Sequence, residues 1–157
     1  MRRFVAALIL LGVGLVAPTA AEAGSSTVTV TRHFRDFEVF TDVVPCQKSL
    51  GEYNIRLAER GVIHLTASNE DLDPPYHITG TTTGTFEASP SDGTGPLFTG
   101  RFRQRFGENV NAKNSTGTVT FSLNGTSSEG SRISFHEVMH YTITGTGVEF
   151  SFDKPSC

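Results

Sequence analysis

The sequence predicts an all-β fold: a single antiparallel up-and-down meander of about eight strands, closed or partly closed into a barrel, with a two-sheet sandwich as the alternative. Three observations carry this. Thr, Ser and Gly supply 50 of the 157 residues, and 12 more are Phe, a composition that suits pleated strands and tight turns and makes poor helices. Apolar residues recur with a period of two in successive short runs. Turn signals separate those runs at spacings of roughly 8 to 15 residues, with no fixed-period repeat.

The first element is a targeting segment. Met1-Arg2-Arg3 is a short positive region, residues 4–16 are apolar or Gly, and Ala21-Glu22-Ala23 has the A-x-A form of a cleavage site. A bilayer-spanning helix needs about 18 or more apolar residues, more than this run offers. Residues 1–23 are therefore expected to be a signal peptide, and residues 24–157 a secreted β-barrel-like domain. Cleavage near Ala23 would leave 11 basic against 15 acidic residues. That balance excludes a nucleic-acid binder working through bulk phosphate neutralisation, and the exported domain has no membrane span.

Strands follow in order. Val28 and Val30 alternate with Thr29 and Thr31, and the run continues less regularly through Phe34, Phe37 and Phe40 until Pro45-Cys46. Ser49-Leu50-Gly51-Glu52 has the form of a capping box, yet Tyr53, Ile55 and Leu57 alternate as a strand, and strand is the preferred reading. Glu59-Arg60-Gly61 then reads as a hairpin turn into 62–67. Residues 69–75 are a polar loop. Across 76–88, Tyr76, Ile78, Thr82 and Phe86 share a face with Gly80 and Gly84, read as bulge or bend positions. Across 97–106, Phe98, Phe102 and Phe106 share one face, and Arg101, Arg103 and Arg105 share the other. Residues 107–115 read as an Asn-rich loop, Val119, Phe121 and Leu123 as a strand closed by Asn124-Gly125, and 133–143 as the longest strand. Gly145-Thr146-Gly147 turns it into Val148, Phe150 and Phe152.

Cys46 and Cys157 are the two cysteines. In an exported chain they are expected to form one disulfide, which would bring the C-terminus beside the segment after the first strand.

His136-Glu137-Val138-Met139-His140 matches H-E-x-x-H literally. In a zinc peptidase the two His lie one helical turn apart, with Glu as general base. Here the flanks alternate as a strand, where four residues span about 13 Å, too far for two imidazoles to share one ion at about 2 Å each. The strand reading turns Glu137 inward with Ile133, Phe135, Met139, Tyr141 and Ile143, and a buried carboxylate requires a partner. Glu137, Gln104 and Tyr141 are the candidate ligand-binding residues. Arg101, Arg103 and Arg105 form a candidate anion contact. Asn69, Asp71 and Asp73 have the alternate spacing of a calcium loop, but Pro74 stands where such loops need Gly, so no metal or cofactor is assigned.

Pro45-Cys46, Gly51-Glu52, His64, the run from Gly130 through His140, and the terminal Cys157 resemble a group of small secreted actinobacterial-type all-β proteins with a C-terminal H-E-x-x-H strand and a last Cys. The similarity is close over the final 25 or so residues and covers the remainder in outline. It implies that the Cys pair and the H-E-x-x-H are family features and that 52–67 are strands. It implies no activity.

The functional expectation is a secreted binding or surface-associated module for a small apolar or amphipathic ligand. Its motivation is a Phe-rich interior with inward polar groups and with glycines (Gly80, Gly84, Gly100) that leave volume unfilled. Two alternatives are a small hydrolase or metalloenzyme built on His136, Glu137 and His140, and a cell-wall-associated interaction protein without a ligand. The expected partner is a small molecule or a cell-surface component.

Overall fold

The computed structural model describes residues 27–68 and 72–157. The expected signal peptide lies outside them, as do Asn69 and Asp71 of the calcium-like spacing. Seven strands form one antiparallel sheet in simple sequence order: β1 Val28–Asp42, β2 Tyr53–Ala67, β3 Tyr76–Pro90, β4 Phe98–Val110, β5 Asn114–Ser127, β6 Arg132–Thr144 and β7 Gly147–Ser156. The all-β meander is as the alternation predicts. The capping-box segment contributes only a three-residue 3₁₀ turn, Lys48–Leu50, ended by Gly51 at φ +80°. In that left-handed conformation a Cβ is unfavourable.

The strands are longer than the turn signals suggest. β2 runs straight through Glu59-Arg60-Gly61, with Gly61 paired to Phe34 on one side and Thr82 on the other, so the expected hairpin there does not form. Asn124-Gly125 lies inside β5, and most of the expected 107–115 loop is strand. Nor are Gly80 and Gly84 bulges, since the β2–β3 and β3–β4 registers pass through them unbroken. In each case a complete ladder on both flanks outweighs a local turn preference.

One face of the sheet is buried. Residues of β2 through β6, together with Val44, make a single cluster: Tyr53, Ile55, Leu57, Phe86, Ala88, Phe98, Phe102, Phe121, Leu123, Ile133 and Phe135. Tyr53 meets Phe98 edge-on at 5.6 Å although their strands are not neighbours, so the sheet wraps around its own core. Among the described residues β1 and β7 each pair on one side only, so the sheet is not closed, where a closed or partly closed barrel was expected. The expected covalent tie is present. Cys46 and Cys157, 111 residues apart with Cα atoms 5.7 Å apart, join the segment after β1 to the end of β7. The two edges are thereby fastened at the end where β1 finishes and β2 begins.

The concave face explains its own glycines. Five aromatic residues stand directly opposite a glycine on the next strand: Phe34 and Gly61, Phe106 and Gly80, Phe102 and Gly84, Phe86 and Gly100, Tyr141 and Gly117. In each pair the ring occupies the space a Cβ would take, and Phe86 also covers Gly125. This corrects the expectation of unfilled volume at Gly80, Gly84 and Gly100. Large rings and absent side chains were matched across the ladder, the pairing that lets aromatics lie flat on a sheet.

Candidate functional site

A belt of polar side chains crosses the middle of the concave face. Above the main cluster, counted from the disulfide end, β1 places Asp36 and Glu38 in inward positions, β2 Glu59, β3 Thr82, β4 Gln104, β6 Glu137 and β7 Asp153. The ladder sets their order. Asp36 pairs with Glu59, Thr82 with Gln104, Gln104 with Phe121, and Phe121 with Glu137. Beyond the belt lies a second apolar cluster of Val119, Met139 and Tyr141, with Phe106 against it.

Gln104 is 1% exposed and Glu59 5%, and both polar ends of Gln104 and both carboxylate oxygens of Glu59 lack a hydrogen-bond partner. Glu38 Oε2 is likewise buried without one. Such groups are rare in folded proteins and each costs about 1 to 3 kcal/mol. Burial pushes the Glu59 carboxyl up to about 7, and the nearby Glu38 and Asp36 raise it further. Burial also raises Glu38, with Asp36 adding to the effect.

Glu137 turns inward, as the strand reading requires, and is 6% exposed. Neither of the other two candidate ligand residues is its donor, since Gln104 Nε2 has no partner and the Tyr141 hydroxyl donates to Glu108. It is paired instead with the carboxyl of Asp153. Burial, then the Asp153 charge and the hydrogen bond between the two, push Glu137 up to about 7. A hydrogen bond between two carboxyl groups needs one proton between them. Asp153 was not legible as a site residue because straight alternation from Val148 and Phe150 runs to Phe152. A register shift in the β6–β7 ladder between His140 and Tyr141 puts Asp153 opposite Met139, and no local sequence signal announces it.

Of the three predicted ligand residues, Gln104 and Glu137 share the belt, separated by Phe121. Tyr141 stands beyond Met139, where its hydroxyl donates to Glu108 Oε2 at 3.1 Å. Burial and the Glu108 charge drive its phenol upward, so it acts as a neutral donor.

His136 and His140 are exposed on the convex face, opposite to Glu137. His140 Nδ1 lies 2.7 Å from Thr118 Oγ1 on the neighbouring strand. The three side chains of the H-E-x-x-H therefore do not converge, and the hydrolase geometry they could supply on a helix is not formed. Among the described residues no group of three His, Cys, Asp or Glu side chains is arranged to hold a metal.

Arg101, Arg103 and Arg105 all project from the convex face of β4. There they are joined by Arg35, Arg56 and Arg60 of β1 and β2, which sequence reasoning left out because only strand pairing makes them neighbours.

Comparison with family models, with curated proteins and with solved structures finds no match.

Proposed function

We propose that the curled sheet is a binding cup, a partly closed barrel of an exported protein, for a small amphipathic molecule with a cationic or donor-rich head. The head would seat on the belt, against Glu59, Gln104 and the Glu137–Asp153 pair. The apolar body would run along Leu65, Phe106, Val119 and Met139 toward the end remote from the disulfide, where Ile143, Val148 and Phe150 are exposed. The observation that carries this reading is the set of four orphaned polar atoms on Gln104 and Glu59, withdrawn from water between two apolar clusters. A ligand's donors would satisfy Gln104 Oε1 and the two Glu59 oxygens, and a ligand acceptor would take the Gln104 Nε2 hydrogens; ligand sites combine apolar walls with a few such groups. The acidic side chains fix the sign of the head, since above about pH 7, where Glu59 and Glu137 ionise, a carboxylate-headed lipid would meet them as like charges.

Native mass spectrometry of protein purified from its own host, followed by titration with a long-chain alkylamine and the matching fatty acid, tests the reading. A retained small molecule, or saturable binding of the amine that Gln104→Leu abolishes, supports it. An apo mass together with no amine binding, or tighter binding of the fatty acid, overturns it.

A further inference from the structure

We infer that the convex face of β1–β4 is a docking surface for an acidic polysaccharide, a linear glycan bearing carboxylates at regular intervals. On this face the outward positions of the four strands hold six arginines, Arg35, Arg56, Arg60, Arg101, Arg103 and Arg105, and one acid, Glu87. All six arginines are exposed, and among the described residues none is held in an ion pair.

The ladder organises them. Arg35 and Arg60 are directly opposite one another, and the same row continues through Thr83 to Arg103. With strands about 4.8 Å apart, that row spans roughly 14 Å. Two like charges directly opposed on adjacent strands work against the fold, so the pair is not explained by stability. An anion between them would remove the repulsion, and a guanidinium fork matches a carboxylate in two parallel hydrogen bonds.

Shape and neighbours select a glycan among anions. An open groove of about 870 Å³ crosses this face between Arg35, Arg60 and Arg101. A second, of about 580 Å³, adjoins it through Arg35, Arg60 and Thr83. Between the arginines lie Thr81, Thr83 and Thr85, whose hydroxyls suit a polyol. Phe37, 61% exposed, begins the next row, which passes through Ala58 and Thr85 to Arg101. An exposed ring beside a row of hydroxyls and guanidinium groups offers an apolar patch for a sugar face. The surface is convex, so a flat bilayer would meet only a strip of it, whereas a flexible chain can follow the groove across strands.

Affinity electrophoresis in gels containing polygalacturonate, with dextran as the neutral control, tests this on the intact disulfide-bonded protein. Retardation by polygalacturonate alone is expected, weakening with salt. The triple variant Arg35→Ser/Arg60→Ser/Arg103→Ser should lose at least roughly tenfold in affinity. Arg60→Lys, which keeps the charge and loses the fork, should bind more weakly than the parent, while Gln104→Leu on the opposite face should bind unchanged. Since the arginines are exposed, an unaltered melting curve for the triple variant will confirm that it is folded. No retardation at low salt, equal retardation of parent and triple variant, or stronger binding to phosphatidylglycerol vesicles or duplex DNA in competition would each overturn the proposal.

Discussion

The two faces of this one sheet carry opposite chemistry. The concave face takes the aromatic residues, the glycines beneath them and seven acids: Asp36, Glu38, Asp42, Glu59, Glu108, Glu137 and Asp153. The convex face takes most of the threonines and eight bases, Arg35, Arg56, Arg60, Arg101, Arg103, Arg105, Arg132 and Lys154, against two acids, Glu87 and Glu149, while the concave face holds one base, Arg32. A formal charge of -3 for the whole chain conceals this separation. Because side chains alternate across a strand, one residue of offset decides whether a charge meets solvent or an apolar core. Burial of Glu59 and Glu137 on the concave side raises both carboxyls to about 7.

The comparison can be broken most severely where the sheet is held curled. Replacing Cys46 and Cys157 with Ser frees the two edges and, for a loop of 111 residues, should cost about 4 to 5 kcal/mol in the chain-entropy account. Urea unfolding of the variant against the oxidised parent measures it, and an unchanged midpoint would show that the concave face holds its shape without the tie. Next comes the ring-on-glycine packing. Phe86, 2% exposed, covers both Gly100 and Gly125. Phe86→Ala should destabilise by about 3 to 5 kcal/mol, visible as a lowered thermal midpoint, whereas Arg60→Ser on the convex face should stay within about 0.5 kcal/mol.

The pH dependence sharpens the contrast between the faces. Glu59 and Glu137 have folded-state values near 7, above the ordinary 4.5. Between those values the folded state binds more protons than the unfolded one, so these groups make stability fall as pH rises from about 4.5 through about 7, then level off. Glu137→Gln keeps a donor for Asp153 and should flatten part of that slope. Urea midpoints across this range decide the matter, and a stability that rises with pH there would contradict the burial of the two groups. One expected effect has the opposite sign. Gln104→Leu removes two orphaned polar ends and should stabilise the apo protein by about 1 to 2 kcal/mol while abolishing amine binding. A loss of stability would mean that the amide has a structural partner.

Much of the fold was legible because period-two patterning is a local property. Val28 and Val30, the Phe98/Phe102/Phe106 face and the inward turn of Glu137 all follow from it. The misread places share one cause. Glu59-Arg60-Gly61 and Asn124-Gly125 are turn-like in isolation, yet both sit inside strands because the rings of Phe34 and Phe86 lie over Gly61 and Gly125, and those rings belong to other strands. The same holds for the site. Gln104 and Glu137 follow from alternation, but Glu59 lies in a turn-like tripeptide and Asp153 reaches the concave face only through a register shift.

The sequence by itself determined the strand alternation, the partition of charge along each strand and the presence of two cysteines able to pair, because each is written in nearest-neighbour order. Tertiary structure alone decided which glycine each ring covers, that the sheet curls without closing, that Arg35 faces Arg60, and that Asp153 comes beside Glu137. Each of those depends on which residues the ladder sets side by side, and in a meander of long strands that register is fixed by the summed packing of the whole concave face.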